Sequence, residues 1–182
     1  MIGCSEFCGY YDWTFEWLRR NYGEDAVRKY WLEAICEASQ THASELIIGK
    51  GIPGMVEYWD HTLEEEAAGY DCVYDEAAGY YRTDMYACPS RGYNLEHGYE
   101  YYHDYCDHCM GWIKPIMDRA GFVIHHDHNH MGMCWFEMRP KDSDPGPSAP
   151  GELTDKDVRL RDDYQTDRHH TWTASELIGE GD

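Results

Sequence analysis

Phe122-Val123-Ile124-His125-His126-Asp127-His128, then Asn129-His130-Met131, then Gly132-Met133-Cys134-Trp135-Phe136-Glu137-Met138-Arg139 is the stretch that decides the fold. In an extended chain successive side chains point to opposite faces. Residues 122–128 and 132–139 therefore form a hairpin across 129–131. Cys134, Phe136 and Met138 share one strand face, with Trp135 and Glu137 on the other. His126, His128 and His130 share a face, and His125 and Asp127 take the opposite one.

Working outward, residues 70–75 and 80–86 read as a second, earlier hairpin, with Glu76-Ala77-Ala78-Gly79 as its turn. Before it the period is helical. Residues 10–22 form an amphipathic helix closed by Gly23. Residues 26–39 carry Val27, Tyr30, Trp31, Ala34, Ile35 and Ala38 at helical spacing. Gly49, Gly51, Pro53 and Gly54 break the chain, and 55–68 is a third helix ending at Gly69. Cys88-Pro89-Ser90-Arg91-Gly92 reads as a loop. A long helix follows over 99–120, stopped by Gly121, with Pro115 marking a kink or a boundary. The order helices, hairpin, helix, hairpin gives an α+β fold: N-terminal helices and an antiparallel sheet of two or more hairpins, with a long helix packed on one face. Residues 1–139 make one domain. Residues 140–152 are a Pro/Gly-rich linker by composition, and 153–182 a polar tail. A tail of this kind orders by docking, which predicts wrapping of the core or a homo-oligomer formed through it.

The 182 residues suffice for one buried core. A net charge of −20 repels phosphate backbones and anionic lipid, so nucleic-acid and membrane-surface partners are not expected. No leader pattern or membrane-length apolar run is present, which predicts a cytoplasmic protein with mostly reduced thiols. Aromatic residues are 15% of the chain, enough for an aromatic core or for a pocket with an amphipathic wall.

Eight cysteines in such a protein are core fillers, metal ligands or nucleophiles. Tyr105-Cys106-Asp107-His108-Cys109 holds a Cys-x-x-Cys pair, which chelates zinc or iron or runs redox chemistry. His103 lies one turn earlier, and on a helix His103, Cys106 and Cys109 share a face. The metal candidates are Cys106, His108, Cys109, His103 and His128. A structural zinc site usually brings a second thiol pair, and lone Cys72, Cys88 and Cys134 are the available partners. The catalytic candidates are Cys134, Cys106, His126, Asp127 and Glu57. A nucleophilic thiol needs a base or a positive field, which the neighbouring histidines supply. Glu57 and His61, at i and i+4, suit acid–base work or an exposed ion-paired face. Cys4 and Cys8 form a weaker terminal pair. No Walker or Rossmann glycine loop occurs, so no nucleotide cofactor is expected.

The Tyr-Cys-Asp-His-Cys segment at a helix start, followed by a glycine and a hairpin carrying Gly132-x-Cys134-x-Phe136, resembles the L-2-amino-thiazoline-4-carboxylic acid hydrolase-like family over roughly residues 25–139. The resemblance implies hydrolysis of a C–N bond in a small nitrogen heterocycle or amidine. A cysteine thiolate could attack the ring carbon, or a bound metal could activate water with Asp127 or Glu57 as base. The same residues would also serve a non-catalytic metal- or small-molecule-binding sensor, or a metal-dependent lyase, isomerase or oxidoreductase of an anaerobic pathway.

Overall fold

The computed structural model describes residues 5–66, 68–166 and 168–172. Cys4, half of the terminal cysteine pair, lies outside them. The helices come first. α1 (Glu6–Tyr22) closes at Gly23, and α2 (Glu24–Tyr30) runs on as a π-helical segment, Trp31–Ser39. α3 (Thr41–Lys50) and α4 (Ile52–Glu65) meet at Gly51, whose φ of 64° suits a residue without Cβ. The break expected across 49–54 is thus a single-residue turn between two helices. The helix expected over 55–68 begins at Ile52, since Pro53 needs no amide hydrogen in a first turn.

β1 (Gly69–Asp75) and β2 (Tyr80–Ala87) form the first hairpin, as expected. Residues 88–92 are not a loop. Cys88 caps α5 (Pro89–Glu96), its Sγ accepting the Arg91 backbone N–H at 3.4 Å. The long helix also starts later than expected. α6 spans His108–Ala120, preceded by a 3₁₀ turn over Tyr105–Asp107. Residues 101 and 102 are instead held by the buried Asp12 carboxylate, which accepts their backbone N–H groups at 2.9 Å each. Pro115 sits inside α6 without ending it.

β3 (Phe122–His128) and β4 (Cys134–Pro140) complete the second hairpin. A short strand, β5 (His170–Trp172), pairs with β3, and the antiparallel sheet runs β1-β2-β4-β3-β5. The fold is α+β. No described helix is long and apolar enough to cross a membrane.

The register sorts the sheet's faces. Ile124 pairs with Met138, His126 with Phe136 and His128 with Cys134, while Tyr81 and Met85 stand opposite Met138 and Cys134 on β2. Ile124, Phe136, Met138, Tyr81 and Met85 pack with Met55, Trp59, Ile113 and Met117 of α4 and α6 in the main core. The other face carries Arg82, Asp84, Trp135 and Glu137, and the chain after β4 covers it. Trp135 packs with Val158 and Tyr164. Arg82, fully buried, bonds Asp84, Glu137 and Asp157. The stretch expected as linker and tail therefore folds back over its own sheet as far as residue 172.

Candidate metal centre

β3 and β5 deliver two histidines to one edge of the helix-facing side. His128 pairs with His170 across β3–β5 and with Cys134 across β3–β4. Asp107, at the end of the 3₁₀ turn, reaches the same point. Its Oδ1 lies 3.0 Å from His128 Nε2 and 2.9 Å from His170 Nδ1. Among the described residues, these three are the one group whose ligand atoms all fall within 4.8 Å of one another. Trp172 Nε1 adds a long bond to the same oxygen at 3.4 Å. Burial pushes the Asp107 carboxyl up, but the contact and charge of His128, and then of His170, together outweigh it and hold the group at about 2. Asp107 is a carboxylate at neutral pH.

The protons on the imidazoles follow from their acceptors. His126 Nδ1 lies 2.7 Å from the Trp135 carbonyl and must donate to it. Its Nε2 is then the lone pair that accepts from His128 Nδ1, 2.8 Å away. His126 is neutral, because burial first, and then the charge of His128, drive it down to about 3. The neutral form of His128 thus carries its hydrogen on Nδ1 and presents the Nε2 lone pair to Asp107. Nε2 is buried and has no hydrogen-bond partner in line with it. Protonated, Nε2 ion-pairs with the Asp107 carboxylate at 3.0 Å; in the neutral ring its lone pair faces that oxygen, and a metal cation between the two would take the place of the proton.

His130 stands edge-on to His128, with ring centroids 4.4 Å apart. It has a φ of 59°, the one positive value outside glycine among the described residues. Arg91 holds its carbonyl at 2.8 Å. Burial, followed by the charges of His128 and Arg168, drives His130 down to about 3, so its ring is neutral.

The expected site residues divide sharply. His128 belongs to the centre and His126 orients it. Asp127 does not reach it: it lies on the opposite face, accepting from Tyr164, from Thr171 Oγ1 at 2.6 Å and from His169 Nδ1 at 2.9 Å. Glu57 is exposed and paired with Lys50 at 2.5 Å, and His61 is exposed beside Glu65. The ion-paired reading of that helix face is the one observed. His103 is exposed and paired with Asp104, because residues 99–104 are not helical and no shared helix face exists. His108 packs its ring on Phe15 and Tyr105, with Nδ1 on the Tyr105 carbonyl and Nε2 3.8 Å from Cys109 Sγ. Cys106 and Cys134 are half-buried, and burial raises both thiols well above the ordinary range. They are protonated at neutral pH; at Cys106 the charge of Arg91 acts downward but burial outweighs it.

Two members of the centre went unread in the sequence. Asp107 stood inside the quoted Cys-x-x-Cys segment, between two more conspicuous residues. His170 lies in the stretch taken for tail, where the pair His169-His170 was the available signal. Both alternatives left open by the aromatic content occur: Phe15, Trp31, Tyr102 and Tyr105 pack in a core cluster, and Tyr10, Trp13, Tyr93, Tyr99 and Tyr101 border an open cavity of about 440 Å³ away from this centre. No protein-family model, curated protein or solved structure matches this chain.

Proposed function

We propose that the protein is a metal-dependent hydrolase of C–N bonds in small nitrogen heterocycles or amidines, with Asp107, His128 and His170 holding a divalent cation such as zinc or iron. One observation carries the metal assignment: the ligand atoms of Asp107, His128 and His170 all lie within 4.8 Å of one another, with the His126 relay turning His128 Nε2 toward the carboxylate. Two imidazoles and one carboxylate are a borderline-metal donor set, and three protein ligands leave room for water. A cation held there supplies a water acidic enough to ionise near neutral pH. The protein's part is to fix the ligands. Trp135 and His126 orient His128, while Trp172 supports Asp107. The raised thiols favour activated water over a cysteine nucleophile. The substrate class rests on the resemblance of the 105–109 and 132–136 segments.

The test uses chelator-treated protein. Wild type should bind one more equivalent of zinc than His128→Ala or Asp107→Asn, by calorimetry. Hydrolysis of a panel of thiazolines and cyclic amidines should require that equivalent and fall at least about 100-fold in either variant. Equal binding and equal turnover in the variants would remove the assignment. The same donor set also suits ferrous iron in redox enzymes. Oxygen-dependent turnover with iron and no hydrolysis would favour the oxidoreductase reading.

A further inference from the structure

Beside the Asp107 centre, and independent of its ligands, four cysteines converge from separate elements. Cys88 follows β2 and caps α5, Cys106 lies in the 3₁₀ turn, Cys109 in the first turn of α6, and Cys134 opens β4. Several contacts tie these points together. The Cys88 backbone N–H donates to the Gly132 carbonyl at 2.9 Å, two residues from Cys134. A Cβ at Gly132 would stand 3.7–3.8 Å from Cys88, and the residue's φ is 88°. Ser90 Oγ and Tyr105 OH lie 2.6 Å apart, joining α5 to the residue before Cys106. Asp107, the residue after Cys106, touches His128, which pairs with Cys134. Cys88, Cys109 and Cys134 pack against the same core.

None of the described cysteines is in a disulfide. Each of the four keeps some accessible surface, and burial raises all four thiols above the ordinary range. After burial, the neighbouring sulfurs raise them again: Cys134 responds to Cys88, Cys109 and Cys106. Each of the four sulfurs is thus within electrostatic reach of the other three.

We propose that Cys88, Cys106, Cys109 and Cys134 hold an iron–sulfur cluster of the four-cysteine class. Spacing decides between this and one zinc ion. Four thiolates on a single tetrahedral zinc stand ~3.8 Å apart, as bonds of about 2.3 Å require. No three cysteine sulfurs among the described residues lie within 4.8 Å of one another. A four-iron cluster spreads its cysteines, because each thiolate binds a different iron. The Arg91 backbone N–H aimed at Cys88 Sγ is the kind of hydrogen bond that cluster sulfurs accept. Assembly would release the four thiol protons and form four Fe–S(Cys) bonds, with two ferrous ions, two ferric ions and four sulfides supplied from solution, so that no external oxidant is needed.

Full-length protein purified without oxygen, and again after reconstitution with ferrous and ferric iron in equal amounts and sulfide, tests this. About four irons and four acid-labile sulfides per chain are expected, with broad visible absorption that dithionite bleaches. Cys88→Ser, Cys106→Ser, Cys109→Ser and Cys134→Ser should each lower the iron and sulfide content several-fold. Cys72→Ser should not, since that thiol sits on β1 with Tyr81 and Thr83. Because wild type alone reports the cluster, a variant that misfolds leaves the question answerable. Zinc without sulfide, or no iron after reconstitution, overturns the proposal. So does a loss of iron in Cys72→Ser as large as in the four.

Discussion

A hydrogen-bond relay two histidines long sets which nitrogen of His128 can take a metal. His126 does nothing chemical in this arrangement. It donates to a main-chain carbonyl, stacks on Phe136 at 4.4 Å and accepts from His128. His126→Phe keeps the stacking and removes the acceptor. His128 is then free to turn or change tautomer, and zinc affinity should fall about 10–100-fold. Calorimetry measures this. The Trp135 carbonyl also loses its donor, at a cost of about 1 kcal/mol in urea unfolding. Unchanged affinity would mean that packing alone fixes His128. At this scale the sequence was half legible. Strand alternation placed His126 and His128 on one face of their strand and Asp127 on the other. It could not say that Asp127 would be consumed by Tyr164, Thr171 and His169, because those partners lie 37 to 44 residues away. Asp107 was hidden for a related reason. A carboxylate becomes a ligand only when a strand 63 residues distant brings His170 to it.

Elements were read best where the apolar period was long, and worst where glycine and proline did something other than break the chain. The two hairpins and the helical character of 26–39 came from periodicity alone. The π-helical widening over Trp31–Ser39 leaves no mark on that period. α5 was missed because Cys88-Pro89 reads as a turn, although proline at a first helical position and a capping side chain are also start signals. Gly54 shows a glycine used for contact. A Cβ there would lie 2.2 Å from the Leu46 carbonyl oxygen and 2.7 Å from its carbon, so α3 and α4 approach backbone to backbone. Gly54→Ala should therefore destabilise, although alanine is the better helix former by about 1 kcal/mol. Main-chain atoms cannot swing aside, and an overpacking cost of about 1–3 kcal/mol is expected. The urea midpoint should fall, and a rise would show that the two helices can separate without loss.

At the scale of the molecule, the chain after β4 is a structural layer that also carries a metal ligand. Asp157 clamps that layer to the sheet. Its carboxylate takes Arg82 Nη2 at 3.0 Å, Arg159 Nη2 at 2.7 Å and the Gly151 N–H at 2.9 Å, while Arg82 and Arg159 flank Trp135 at 4.5 and 4.6 Å. Burial pushes Asp157 up, but the hydrogen bonds from Arg159 and Gly151 and the charge of Arg82 outweigh it and hold it at about 2. An aspartate lowered on folding stabilises the protein fully above its unfolded value, near 3.9, and loses that contribution as pH falls through 2. The shift corresponds to about 2 kcal/mol. Asp157→Asn should thus be less stable than wild type by about that amount at pH 7, and the two should converge as pH drops from about 4 to about 2. A gap that persists at low pH would mean that Asp157 acts through shape and not charge. Because β5 ends the same layer, weakening the clamp should also raise hydrogen exchange at His170–Trp172 at pH 7. A ligand that binds only the docked form stabilises it by mass action. Zinc should therefore slow that exchange in Asp157→Asn, and should fail to do so once His128→Ala is added, which ties the docking of the layer to the occupancy of the Asp107 centre.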